Sequence, residues 1–206
     1  MTRQREPGRN DDGLRAAATA RSLGSARHAG RATTEKVATH SALNVRRASL
    51  ADLSTIVELR LALLRENGDH PVYGQLRADA RERAFDVFGA QLRSPHEVMF
   101  LAESKGRVVG ILRCVETLNS PLLDPERYCY VSSVYVRPDS RRSGVLKALL
   151  HRADQWCRDR GLTEMRLHNV PGGSASAAWT AQGFAVMEEV RRRPLIVEGR
   201  GQNIPR

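Results

Sequence analysis

The densest group of chemistry-bearing residues in this chain is Arg141-Arg142-Ser143-Gly144. It follows the β-branched run Val134-Tyr135-Val136 and precedes Val145, Ala148, Leu149, Ala153, Trp156 and Cys157, which recur as one face of a helix. A helix that begins just past a strand leaves its first N–H groups without intrahelical partners and turns the positive end of its dipole outward. Glycine there lets the backbone approach a ligand closely, and arginine adds charge-assisted hydrogen bonds, so the pattern predicts a phosphate or diphosphate site. Groups able to take up a proton are Glu66, His70, Glu116 and His168. Each has a plain reading as well: Glu66 as a helix-end surface charge, Glu116 as an exposed strand residue, His168 as a satisfied, partly buried histidine.

Periodicity and punctuation define the elements that must hold these residues. A short strand at Asn44–Ala48 precedes Ser49-Leu-Ala-Asp52, a capping-box variant, and a helix over 50–66 carrying Leu53, Ile56, Val57, Leu61 and Leu64. Asn67–Gly74, with two glycines and a proline, breaks it, and a second helix is expected over 76–93. Val98–Glu103 and Val108–Val115 read as a hairpin turning at Lys105-Gly106-Arg107. After a loop at 117–127 come a strand at Tyr128–Arg137, a helix at 144–160 and a strand at Glu164–His168. A short helix at 174–182 and strands at 184–190 and 194–198 complete the order β-α-α-β-β-β-α-β-α-β-β. The expected fold is α/β in the α+β sense: about seven strands in a mixed, mostly antiparallel sheet with about four helices packed on it.

The 206 residues carry a formal charge of +10. Residues 1–42 hold eight basic and four acidic residues, so the excess is spread along the chain and not gathered in one arm. Only Lys36, Lys105 and Lys147 are lysines, which favours an arginine-rich solvated surface over a nucleic-acid footprint. Cys114, Cys129 and Cys157 show no C-x-x-C spacing, which predicts buried reduced thiols, no metal, and a reducing, cytoplasmic setting. No window approaches ~18 uninterrupted apolar residues, so no membrane span is expected. Residues 1–42 show no apolar pattern lasting two turns and read as a mobile basic extension; targeting segment, functional tail and misplaced start all stay open. The domain is expected over 43–198, with a tail at 199–206.

Three marks in register with this order of elements resemble the GNAT superfamily of N-acetyltransferases over roughly residues 44–198. They are the hairpin ending in Val108-Val-Gly-Ile-Leu112; Val136-Arg-Pro138 followed by Arg141-Arg-Ser-Gly144-Val-Leu146; and Ala175 with Gly183-Phe184. The resemblance implies acetyl-CoA as co-substrate and a small-molecule amine or peptide amino terminus as acceptor, with a homodimer compatible with it. It implies that Val134, Tyr135 and Val136 pair with the pantetheine arm. It further implies that Arg141, Arg142, Ser143, Gly144, Val145, Leu146 and Lys147 form the pyrophosphate loop and first helical turn. A backbone N–H of the Val134–Val136 strand would polarise the thioester carbonyl. Glu116 and His168 become the candidate catalytic bases, with Glu66 and His70 behind them. Three departures stand out: Leu146 where the family has Gly or Ala, Trp179 where several relatives have an acidic tyrosine, and Gly172 at the place of an asparagine, with Asn169 three residues earlier. A non-catalytic acyl-CoA-binding protein of the same fold is the alternative.

Overall fold

Five strands lie in one sheet in the order β1-β2-β3-β4-β5 in the computed structural model, which describes residues 43–195. They are β1 (Asn44–Arg47), β2 (Glu97–Ser104), β3 (Arg107–Leu118), β4 (Arg127–Val136) and β5 (Met165–Arg166). The first three junctions are antiparallel and β4–β5 is parallel. The helices are α1 (Leu53–Glu66), α2 (Ala80–Arg93), α3 (Val145–Asp159) and α4 (Gly173–Ala181).

Alternation along the strands builds two cores, one on each face. Val98, Phe100 and Ala102 of β2 join Leu112, Cys114, Cys129 and Val131 beneath Val145, Leu149, Ala153 and Trp156 of α3. Met99 and Leu101 join Ile111 and Tyr135 beneath Ile56, Val57 and Leu59 of α1 and Phe88 of α2. All three cysteines are buried free thiols, as their spacing predicts.

Two local features position the loop at 137–144. The β2–β3 hairpin turns on Lys105 and Gly106, both at positive φ (51° and 71°), the pairing that matches strand twist. Gly110 is the second: a Cβ there would lie 2.8 Å from Val145 Cγ1 and 3.2 Å from Leu149 Cδ1. The glycine of the Val108–Leu112 run therefore lets the first turn of α3 rest directly on the sheet.

The expectations need three corrections. The described residues hold five strands, not about seven: residues 184–190 form no strand ladder among the described residues, and Val186 and Val190 are 91% and 77% exposed. The two-residue β5 offers them little edge to pair with, and a strand without a partner leaves its backbone groups to water. Residues 194–195 are likewise unpaired, and 196–198, the tail at 199–206 and the extension at 1–42 lie outside the described residues. Finally, α2 starts at Ala80 instead of 76, because Asp79 ends the preceding turn: its carbonyl accepts the Arg83 N–H at 3.2 Å and its carboxylate binds Arg77 and Arg83. The capping box is formed, with the Asp52 carboxylate accepting the Ser49 N–H at 2.8 Å.

Candidate functional site

β4 is the strand around which the site is built. Its register against β3 passes from Arg113↔Ser132 to Ile111↔Tyr135, so Leu112 alone opposes both Ser133 and Val134. Ser133 carries the extra residue at φ 53°, a left-handed conformation that costs a serine about 1–3 kcal/mol. The bulge inverts the alternation. Cys129 and Val131 face α3, whereas Tyr135 packs under α1 and α2 and Val134 and Val136 lean to the α3 side. On the other edge β5 pairs only at Cys129↔Met165 and Tyr130↔Arg166. From Val131 to Val136 that edge of β4 is therefore open among the described strands.

The open edge runs into the loop before α3. Arg137 anchors the turn with its N–H on Val109 O (2.8 Å) and its Nε on Val108 O (2.9 Å). Ser143 Oγ donates to Ser140 O at 2.6 Å, and Arg142 and Gly144 take positive φ (59° and 85°). A Cβ on Gly144 would meet nothing within 4 Å, so glycine is needed there for its backbone angle, not for room. The first bond into α3 runs from Ala148 N–H to Gly144 O at 3.0 Å, which leaves the N–H groups of Val145, Leu146 and Lys147 free at the positive end of the helix. On the β1 flank a shallow groove continues from Gly144 past Lys147, His151 and Arg152 to Leu43 and Val45.

The two arginines of the loop differ. Arg142 is exposed and makes no ion pair among the described residues. Arg141 is tied back: its Nε donates to Val136 O at 3.0 Å, its Nη2 binds Glu66 at 2.6 Å, and it lies 5.8 Å over the Tyr135 ring. Tyr135 Oη donates to the same Glu66 at 3.2 Å. Glu66 thus braces α1 against the loop.

The proton-accepting candidates separate. Glu116 faces α3, where Arg127, Arg160 (3.4 Å) and His96 (3.6 Å) surround its carboxylate. Burial would raise that carboxyl, but the bonds and charge of Arg127, His96 and Arg160 prevail and hold it low. His70 Nδ1 already accepts the N–H groups of Val72 and Tyr73, both at 3.2 Å, and its ring stacks on Tyr73. His168 follows β5 where it leaves β4; its Nδ1 lies 3.3 Å from Tyr130 Oη, and its Nε2 is 3.9 Å from Glu188. Tyr130 stands on the α1 face, opposite to Glu116, so the sheet does not bring Glu116 and His168 together.

Sequence reasoning passed over Tyr130, Arg113 and Arg60. Arg113 of β3 binds Glu97 at 2.6 Å and Ser132 Oγ at 3.2 Å. Burial pushes the Tyr130 phenol up, Tyr73 and Tyr128 add to it, and Arg113 and Arg60 act against it; the hydroxyl is a donor at neutral pH. The signal for Arg60 is its place in the apolar stripe, four residues after Ile56 and four before Leu64.

A strand with an open edge, feeding a helix N-terminus whose loop carries arginine and glycine, is the arrangement that the resemblance implies. Residues 62–184 match the acetyltransferase (GNAT) family. The chain belongs to that family. It is 41% identical over 76 residues to an aminoglycoside N(6')-acetyltransferase type 1 of Klebsiella aerogenes, covering 32% of this chain and 50% of the relative. It is 29% identical over 106 residues to the acetyl transferase GW6a of Oryza sativa subsp. japonica, covering 47% of this chain and 25% of the relative. The chain therefore spans a quarter to a half of these relatives. Its fold is shared with a predicted acetyltransferase from Clostridium acetobutylicum crystallised with acetyl-CoA, at a TM-score of 0.62 and 20% identity over 74% of this chain and 96% of that one.

Against the GNAT pattern, all three departures acquire a structure. Leu146 does not point into solvent; it is half-buried and packed against the α3-side core. Trp179 of α4 sits edge-on to Phe184, with ring centroids 5.4 Å apart. Asn169 donates to Ser176 Oγ at 2.8 Å, fastening the loop before α4 to its first turn. Among the described residues no group of three His, Cys, Asp or Glu side chains could hold a metal, and no helix is long and apolar enough to cross a membrane.

Proposed function

We propose that this chain transfers an acetyl group from acetyl-CoA to a primary amine by direct attack within a ternary complex. The observation that carries the reading is the open edge of β4 past its bulge, continuous with the N-terminus of α3. Peptide groups on that edge are available to pair with an extended amide chain, as in strand addition. The free N–H groups of α3, with Arg142 and Lys147, suit a diphosphate. The homologues named for acetyl transfer point the same way. Donor contacts fall to Val134, Tyr135 and Val136 along the strand and to Arg142, Ser143, Gly144, Val145, Leu146 and Lys147 at the loop. Arg141 acts here as a brace on the loop through Glu66 and Val136.

Acetyl transfer needs a neutral amine, a polarised carbonyl and a leaving thiolate. A backbone N–H between Val134 and Val136, set free by the bulge and the departure of β5, supplies the donor to the carbonyl oxygen, worth about 3 kcal/mol when preorganised. Tyr130 and His168 form the proton path: the amine gives its proton to Tyr130 Oη as the phenol passes its own to His168 Nδ1. Glu116, on the other face, is left out of this scheme. The thiolate takes its proton from water, because the indole N–H of Trp179 is no useful acid.

That tryptophan is what favours a second reading, an acyl-CoA-binding protein without turnover. Calorimetry with acetyl-CoA tests the shared part: binding by the native chain and its loss in Gly144→Asp are expected, since aspartate at φ 85° is strained and repels a diphosphate. Unchanged binding in Gly144→Asp would refute the loop assignment. Free-thiol release over a panel of amines then separates enzyme from sensor.

A further inference from the structure

Arg60 of α1 stands out among the charged groups facing the sheet. It lies three and four residues after Val57 and Ile56, both fully buried, so it shares the side of α1 turned to β3 and β4. It is half-buried, yet among the described residues no carboxylate, carbonyl or hydroxyl bonds its guanidinium. Its charged surroundings are Arg113 of β3 and the phenols of Tyr73 and Tyr130. No carboxylate figures among the charges acting on Arg60, and Glu97 of β2 and Glu66 at the end of α1 are already paired, with Arg113 and Arg141. A guanidinium cannot discharge by losing its proton, so a buried one without a partner calls for an anion from outside.

We infer that Arg60, backed by Arg113 and the hydroxyls of Tyr73 and Tyr130, is the subsite for a carboxylate carried by the acceptor, so that the acceptor is a small amino acid-like amine and not a polycation. The inference rests on the proposed acetyl transfer, with Tyr130 belonging to both the proton path and this cluster. Arg60 and Tyr130 share one face, which places the carboxylate beside the amine whose proton Tyr130 takes. A guanidinium forks onto a carboxylate through two parallel N–H bonds, whereas an aminoglycoside would set ammonium groups against an uncompensated positive charge. Burial depresses the Arg60 guanidinium, and Arg113 adds to that effect; an incoming anion relieves both.

The test is calorimetric titration of the full chain saturated with coenzyme A, so that binding is read without turnover. L-lysine is compared with cadaverine, L-phenylalanine with phenethylamine, and both pairs with an aminoglycoside. The subsite predicts that an amino acid binds about tenfold or more tightly than its decarboxylated partner and than the aminoglycoside. Arg60→Met should erase that preference and Arg60→Lys keep part of it, with coenzyme A affinity unchanged in both. Equal or tighter binding of the amines, no binding of either amino acid, or a preference surviving in Arg60→Met would overturn the proposal. Should Arg60→Met fail to fold, the comparison on the native chain still decides. Failure of coenzyme A to bind would count against acetyl transfer instead, and the same pairs titrated on the unliganded chain would still judge the subsite.

Discussion

Glu66 accepts the Nη2 of Arg141 on both carboxylate oxygens, at 2.8 and 2.6 Å, across 75 positions of sequence. The pair joins the C-terminal end of α1 to the loop proposed to hold the donor. Both side chains are partly exposed, so the pair adds only about 0–1 kcal/mol to stability. Its effect should appear in binding: Glu66→Gln removes a negative charge beside the diphosphate loop and frees Arg141 to face it. Acetyl-CoA affinity should rise about two- to fivefold at low salt and the gain should shrink as salt is added, read by calorimetry at two ionic strengths. Weaker binding in Glu66→Gln would mean that bracing the loop matters more than its charge.

Gly110→Ala should disturb the donor site from below. The new methyl would sit 2.8 Å from Val145 Cγ1, so the first turn of α3 must lift or the strand must bend. Overpacking of this kind costs about 1–3 kcal/mol. Thermal melting should show that loss together with weaker acetyl-CoA binding, whereas a melt like that of the native chain would mean that the turn has slack.

Leu146→Ala separates packing from obstruction. The leucine packs against the α3-side core, and truncating a half-buried leucine should destabilise by about 1–2 kcal/mol. Since the side chain is turned to the core, acetyl-CoA affinity should stay within about twofold of the native value. A marked gain in affinity would show that the leucine crowds the donor.

Tyr130→Phe keeps the ring and removes the relay. Thiol release should fall about ten- to a hundredfold in kcat with little change in acetyl-CoA binding. His168→Gln should lower kcat as well, because the relay from Tyr130 Oη loses its acceptor. An unchanged kcat in His168→Gln would remove the histidine from the mechanism.

Acid stability should report on Asp52. Its hydrogen bonds from Arg46 (2.7 and 2.9 Å) hold the carboxyl down to about 2, burial opposing and Ser49 assisting. The native state thus binds this proton more weakly than the unfolded chain does. Stability from the group is complete above the ordinary carboxylate range and is lost as pH falls toward about 2. Urea denaturation between pH 6 and pH 3 should show an Asp52-dependent loss on the order of 1 kcal/mol, absent in Asp52→Asn. Equal slopes in the two proteins would place the acid sensitivity elsewhere.

How far the chain could be read in advance follows the range of the interactions. Arg141-Arg-Ser-Gly144 between a strand and a helix, the Lys105-Gly106 turn and the Ser49–Asp52 box are settled by neighbours a few residues apart, and all were legible. The strands expected at 184–190 and 194–198 were not secured by local pattern, since a strand exists only where another edge accepts it. Ser133 is not a glycine, so nothing in its neighbourhood announced the bulge; the pairing of β3 with β4 imposes it.

By itself the sequence determined the order of elements through α4, the Arg141–Gly144 turn before α3 and the buried thiols, because these follow from backbone propensity and apolar periodicity. Only the tertiary structure decided which side chains share a face: it set Glu116 against α3 and Tyr130 against α1, turned Arg141 back onto Glu66, and left Arg60 without a counter-charge. Those outcomes depend on register, where one extra residue at Ser133 reverses every side chain beyond it.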